Sequence, residues 1–523
     1  MKRLPLQKRW MAVHKHQLSI ALTMAIGMMK YTNEFMEPYW NASRSFWDTE
    51  QKKKIPAATL WQTASDYMEL LLFNCQIWGE GYLGMSREQL IYLKQEIERL
   101  RLVDKSSEED FFDYWENLDS HMKALVYDFP KEIEKVEGFG FDFKDSRYRL
   151  VAETPRFNLY QVMPWDAEIR VDNNLKPIII MHPYVLGANI LAFDPDGRKS
   201  YVHSFANAGI PTYFRSLKDM SHPEVQIMSG EDDALDTKYF CRLLKEKHGC
   251  QVTLNGFCQA GFIAMLDILS GELDGLVDAL ITCVAPMDGT RSAALVEYMD
   301  HLPQRYRDLD YGDKYLYSGN TIVDGKVMSW VYKLKSMYKE APAAAFFREL
   351  AAVRASRDKN VKMSKTAAYL LHWIKYDRAD LPKAVTMLSF KSYTQPVGPD
   401  GTLPVTMFGR QLSFADLKKK NIKYLLCYAE EDDLVDRPAA TVPCEFADVE
   451  VTVFPKGHGS IATSWSSPAS ACALQLEFVH KERTYRGPVR WQLDQSAKSS
   501  IYLINRDNNL PEEGKNDLLY SQG

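Results

Sequence analysis

The sequence has no surplus of positive charge: 64 Lys and Arg stand against 69 Asp and Glu, a formal charge of −5. That balance argues against a nucleic-acid partner or an anionic membrane and leaves a small molecule as the expected one. Its eight cysteines are scattered over 523 residues without a CxxC pair. Zinc ribbons and disulfide frameworks are excluded by that pattern, which fits reduced thiols in a cytoplasm. Long apolar runs are also missing. The run Leu18–Met29, preceded by Lys2, Arg3, Lys8, Arg9 and Lys15, ends after 12 residues, too few to span a bilayer. No small-x-small cleavage site follows it, only Lys30-Tyr31-Thr32-Asn33, so the run reads as a packed or surface-lying helix rather than a secretion signal. Internal repeats and low-complexity tracts are absent. What the chain does have is 46% apolar and 12% aromatic residues, enough to bury several cores.

Helical periods dominate residues 1–145. Ser86-Arg-Glu-Gln89 has the form of a capping box that starts a helix, with Leu90, Leu93, Ile97 and Leu100 on one stripe. Residues 105–136 read as a further helix ending near Pro130. From Arg147 the pattern changes. Tyr148/Leu150 and Phe157/Leu159 alternate as in a hairpin, and apolar runs follow at Pro177–Met181, Ile210–Phe214, Gln251–Leu254, Ala279–Val284, Tyr424–Tyr428 and Val449–Phe454. Helix-like stretches such as Asp236–Lys247 and Ile263–Leu269 lie between several of them. Buried strands alternating with helices imply an α/β fold with a mostly parallel sheet. The gap between Val284 and Tyr424 is too long for one crossover and predicts an inserted, mostly helical cap. SWVYKLKSMY and AAAFFRELAAV suggest its helices, and QPVGPDGTLPVT at 395–406 an irregular stretch. The expected division is a helical N-terminal domain 1–145, core 146–289, cap 290–420, core 421–484, and a polar, loosely held tail 485–523.

One short turn carries the chemistry. Gly256-Phe257-Cys258-Gln259-Ala260-Gly261 joins a strand to a helix, which is the form of the nucleophile elbow of α/β-hydrolases with cysteine as nucleophile. A strained backbone there brings strand and helix together, and the helix N-terminus favours thiolate. The elbow requires an acid and then a histidine after later strands. Asp432, Asp433 and Asp436 follow Tyr424–Tyr428, and His458 follows Val449–Phe454 between two glycines. His458 would take the Cys258 proton while an aspartate fixes the imidazole tautomer. Oxyanion donors are expected from the backbone N–H groups of Tyr184 or Val185, in His182-Pro183-Tyr184-Val185-Leu186-Gly187, together with that of Gln259. Pro183 cannot donate, and His182, ahead of the elbow, fits support of this loop better than a base.

These residues resemble the polyhydroxyalkanoate synthases, cysteine enzymes of the α/β-hydrolase fold. The likeness covers about residues 147–480: the G-F-C-Q-A-G elbow, ITCVAPMDGT, DGKVMSW, the run Trp373-x3-Asp377-x3-Leu381-Pro382, and the E-D-D-L-V and G-H loops. Matching E-D-x-[IL]-V assigns the acid to Asp432. The chain departs from the pattern at Ala260, where glycine is usual, at Asp436, where proline is usual, and at Gly459-Ser460 after the histidine. The resemblance implies polymerisation of 3-hydroxyacyl-CoA with release of CoA through an acyl-cysteine, no cofactor or metal, a cytoplasmic homodimer, and association with polyester granules. Intracellular polyester depolymerases and thioesterases are the neighbouring alternative, and a binding module without turnover is a third reading.

Overall fold

The computed structural model describes residues 6–52, 59–103, 108–185, 187–194, 199–293, 296, 309–328, 341–356 and 360–496. They form two compact units. One contains the described residues up to Glu137 together with those of Val327–His372, the other those of Gly138–Lys326 and Trp373–Ser496. The segment 290–420, expected to be one cap, is therefore divided between the units. SWVYKLKSMY lies outside the described residues.

The first unit is built on two very long helices, Leu6–Lys52 and Leu60–Val103, with Glu108–Lys123 and Pro342–Ala355 packed on them. Ile20, Tyr92, Leu118, Met122, Phe346 and Leu350 share its core. Gly27 is required there, because a Cβ would stand 2.6 Å from the Phe346 ring. Inside the unit Arg354 bonds Glu96 at 3.1 Å, and the Tyr114 hydroxyl donates to the same carboxylate at 2.7 Å. Two expectations fail in this unit. Ser86 begins no helix; it lies inside Leu60–Val103, and its hydroxyl donates to the Tyr82 carbonyl four residues back. The buried face of this helix, Phe73 and Ile77 before Ser86 and Tyr92 after it, with Met85 packed on the same core, runs through the position and outweighs the local cap signal. Pro130 does not end its helix either. A π-helical turn, Ala124–Asp128, precedes it, and Pro130 then sits in the first turn of Phe129–Glu134, where a proline's missing N–H is tolerated.

Both long helices carry an exposed apolar stripe at helical spacing. Met11, Leu18, Leu22, Met29, Trp40 and Trp47 are exposed on the first, and Trp61, Met68, Leu72, Leu83, Leu90 and Ile97 on the second. Successive members are 4, 7 or 11 residues apart, about one, two or three turns, so each set lies along one face. No described helix is long and apolar enough to cross a membrane.

The second unit is an eight-stranded sheet: β1 Tyr148–Glu153, β2 Phe157–Val162, β3 Ile178–Met181, β4 Thr212–Leu217, β5 Val252–Phe257, β6 Val277–Cys283, β7 Lys423–Ala429 and β8 Glu450–Phe454. Their spatial order is β1-β2-β4-β3-β5-β6-β7-β8. Only the pairings of β2, with β1 and with β4, are antiparallel; the other five are parallel. This order with one reversed strand is the α/β-hydrolase fold. All residues of β3 and β5 are buried, as expected of strands covered on both faces.

Within 395–406, Thr402–Met407 is not irregular but pairs with Arg410–Ser413 in a hairpin. The described tail is not loosely held. Arg483–Arg486 pairs with Glu477–His480, and the helix Pro488–Asp494 buries Pro488, Val489 and Trp491.

Candidate active site

Strand β5 and the helix Gln259–Ser270 meet at Cys258, whose φ of 52° and ψ of −125° lie where side chains are rarely tolerated. The flanking residues explain how the turn is made. A Cβ on Gly256 would stand 2.4 Å from the Ala260 carbonyl oxygen, and one on Gly261 would stand 2.6 Å from Ala285 Cβ and 2.9 Å from the Gly256 oxygen. Ala260 is fully buried and accommodated, so the position that needs glycine is 261. The Cys258 N–H donates to the Cys283 carbonyl at 2.7 Å, tying the elbow to β6. The residue is 6% exposed.

The loops after β7 and β8 bring Asp432 and His458 to the same end of the sheet. His458 Nδ1 lies 2.7 Å from Asp432 Oδ2. Asp432 Oδ1 accepts the backbone N–H groups of Leu434 and Val435, each at 2.9 Å, so the carboxylate is fixed before it meets the imidazole. Of the rival aspartates, Asp433 is exposed. Asp436 caps the short helix Arg437–Ala440 and accepts the Ala293 N–H at 3.3 Å. Burial alone would lower the proton affinity of His458, but the Asp432 carboxylate and then the Cys258 sulfur hold it well above the ordinary imidazole value. Its buried Nε2 makes no hydrogen bond of good geometry, although the thiol is near enough to act on the ring as a charge and as a hydrogen-bonding neighbour. A loose contact between thiol and imidazole is common before substrate is bound.

The expected oxyanion residues are together, but in a different arrangement. The Tyr184 and Val185 N–H groups both donate, at 3.1 Å, to the side-chain Oε1 of Gln259. Gln259 Nε2 in turn donates to Ser389 Oγ at 2.7 Å. The Gln259 N–H opens its helix, one of the groups a helix cannot pair internally. Leu186 lies outside the described residues. Neither the role of the Gln259 side chain nor Ser389 could be read from spacing, since the partners are 130 residues apart.

Below the loop, the Tyr184 hydroxyl bonds Asp233 and accepts from Arg215 Nη2 at 2.7 Å. Arg215 Nη1 donates to Asp233 at 2.6 Å, with both residues buried. His182 supports the same loop. Its Nδ1 lies 3.0 Å from the Pro183 oxygen, and its Nε2 accepts the Leu217 N–H at 3.2 Å. Those bonds define the neutral Nδ1–H tautomer, and burial pushes its pKa down to about 4.

Among the described residues no cluster of three or more His, Cys, Asp and Glu could hold a metal ion. A polar cleft of about 690 Å³ lies at the opposite end of the strands, lined by Gln251, Val277 and Ile422 at the strand starts and by Arg410, Lys419 and Lys420. Two of these cations pair locally, Lys420 with Asp274 and Lys419 with Asp416.

No family model and no curated protein matches the sequence. Among solved structures the chain is similar to a carboxylesterase of the thaumarchaeon Nitrososphaera gargenis, at 14% identity, covering 60% of this chain and 91% of that one, with a TM-score of 0.32. A thioesterase domain from the curacin biosynthetic pathway is similar at 11% identity, 61% and 95% coverage and a TM-score of 0.32. Brefeldin A esterase, a bacterial homologue of human hormone sensitive lipase, is similar at 14% identity, 73% and 84% coverage and a TM-score of 0.33. Likenesses this distant add nothing on substrate or mechanism; the fold rests on the strand order and the elbow.

Proposed function

We propose that the protein is an acyltransferase of the polyhydroxyalkanoate synthase type, which polymerises 3-hydroxyacyl-CoA through an acyl-cysteine. The observation that carries this reading is a cysteine, not a serine, at the strained elbow, next to a histidine whose far nitrogen is held by a buried aspartate. Exchange between thioesters is nearly balanced in energy, which suits a thiol nucleophile acting on a CoA thioester.

In the proposed cycle the Cys258 thiolate attacks the thioester carbonyl. The oxyanion is received by the N–H of Gln259 and those of Tyr184 and Val185. CoA leaves as the thiol, taking the proton from His458. His458 then accepts the proton of the 3-hydroxyl of a second acyl unit, whose oxygen attacks the acyl-cysteine; an ester bond forms and the thiolate returns. Asp432 keeps Nδ1 protonated and compensates the imidazolium. Water must be kept from the acyl-enzyme, and the segment between β6 and β7 is the part of the chain proposed to exclude it. Homodimer formation, cytoplasmic location and attachment to polyester belong to the same reading. The exposed stripes from Met11 to Trp47 and from Trp61 to Ile97 are the surface proposed to meet the apolar polymer.

The alternative, a cysteine-dependent thioesterase or polyester depolymerase, differs in one step: water, not a hydroxyl, meets the acyl-enzyme. Purified protein is given 3-hydroxybutyryl-CoA, and free CoA and free 3-hydroxybutyrate are followed together. CoA release with little free acid and rising turbidity supports the synthase. Equal yields of CoA and acid identify a thioesterase, and no CoA release, with cleavage of amorphous polyester, a depolymerase.

A further inference from the structure

We propose that the side chain of Gln259 is a resident occupant of the oxyanion site, held there by Ser389, and that it must be displaced before an acyl group can react. The inference rests on the acyl-cysteine reading above and concerns how that site is controlled. Two backbone N–H groups, of Tyr184 and Val185, converge at 3.1 Å on one carbonyl oxygen, Gln259 Oε1. Such convergence is what stabilises the oxyanion of a tetrahedral intermediate. The oxygen now held belongs to the residue directly after Cys258, so it and an incoming acyl oxygen compete for the same donors.

The donors cannot yield instead. Tyr184 is anchored by its hydroxyl to the buried Arg215–Asp233 pair, and the His182 ring bonds the Pro183 carbonyl one residue earlier. The loop backbone is fixed from two sides, whereas Gln259 can leave by side-chain rotation. Buried N–H groups without an acceptor are costly. The two amides are therefore satisfied in turn by the glutamine and by the substrate carbonyl. One carbonyl acceptor replaces another, so neither donor is left without a partner after the exchange.

What is lost is the bond from Gln259 Nε2 to Ser389 Oγ at 2.7 Å. Ser389 is itself fixed, donating to the Thr386 carbonyl at 2.9 Å within the helix Lys383–Thr394. That helix belongs to the stretch between β6 and β7. A movement of the helix that withdraws Ser389 loosens the glutamine, so the insert controls access to the donors as well as to the sulfur.

Two reactions at Cys258 separate this role from others. Alkylation by iodoacetamide forms no oxyanion, while acylation by 3-hydroxybutyryl-CoA does. Both rates are measured by intact mass for the wild type, Ser389→Ala and Gln259→Ala, with unlabelled buried Cys241 as the sign that each variant is folded. Loss of one hydrogen bond predicts acylation about fivefold faster in Ser389→Ala, with alkylation changed less than about twofold. Gln259→Ala should acylate at least as fast as the wild type. Slower acylation in either folded variant, with alkylation unchanged, would overturn the proposal and make Gln259 a support of the loop; unchanged acylation in Ser389→Ala would also overturn it. If Cys258 of the wild type is alkylated but never acylated, the acyl-cysteine reading fails first, and this inference with it.

Discussion

Asp432 serves three partners at once: its Oδ2 lies 2.7 Å from His458 Nδ1 while its Oδ1 accepts the Leu434 and Val435 N–H groups at 2.9 Å. An amide placed there would present a donor where acceptors are needed and reverse the imidazole tautomer. Asp432→Asn should therefore lower acyl transfer by about four orders of magnitude, while Asp433→Asn, at an exposed position, should cost about tenfold or less. Steady-state CoA release compares them, and the reverse ranking would move the acid to Asp433.

The thiols should separate by chemistry rather than by exposure. Cys75 and Cys444 are exposed and Cys258 is buried, yet Cys258 has an imidazolium partner and a helix N-terminus beside it. It should be alkylated fastest by iodoacetamide at neutral pH, and Asp432→Asn should slow Cys258 without slowing Cys75. Cys241 and Cys427, whose thiols are pushed up by burial, should stay unmodified. Peptide mapping after a short pulse reads all of these; earlier labelling of Cys241 or Cys427 contradicts the assignment.

Acid should destabilise the fold through two histidines outside the reaction. Burial lowers His182 to about 4 and His203 to about 3, so the folded chain holds both neutral while the unfolded chain protonates them near 6.5. Their contribution is complete above pH 6.5 and declines as pH falls from there toward 4. His458, raised well above 6.5, works in the opposite sense; its contribution is complete below pH 6.5 and is lost as pH rises through its folded value. Denaturation midpoints should fall steadily from about pH 6 to 4, and a flat profile would show that neither ring resists protonation.

The ion pair under the oxyanion loop should matter for stability more than any bond around it. Asp233→Ala removes the carboxylate hydrogen-bonded to buried Arg215 and should cost about 3–5 kcal/mol. Thr237→Val, which removes only a hydroxyl accepting from Arg215, should cost about 1–3 kcal/mol at most. Urea unfolding of the two variants tests the ranking.

Strands that are buried along their whole length announce themselves, and six apolar runs fell within a few residues of β3 to β8. The G-x-C-x-A-G turn was equally legible, because only small residues fit between β5 and its helix. Local signals failed where tertiary packing overrode them. Ser86 has the spacing of a cap but lies between the buried residues Ile77 and Tyr92 of one helix, and Pro130 is absorbed by the π turn before it. The bonds from the Tyr184 and Val185 N–H groups to Gln259 were invisible because they depend on the direction of one side chain and on Ser389, which the sequence places far from it.

The most direct test of the central claim is the intact mass of the protein after mixing with 3-hydroxybutyryl-CoA, followed by mapping of the adduct. The account predicts a series of hydroxybutyryl additions of increasing number, all carried by Cys258 and absent in Cys258→Ala. No adduct, or an adduct retained in Cys258→Ala, would contradict it.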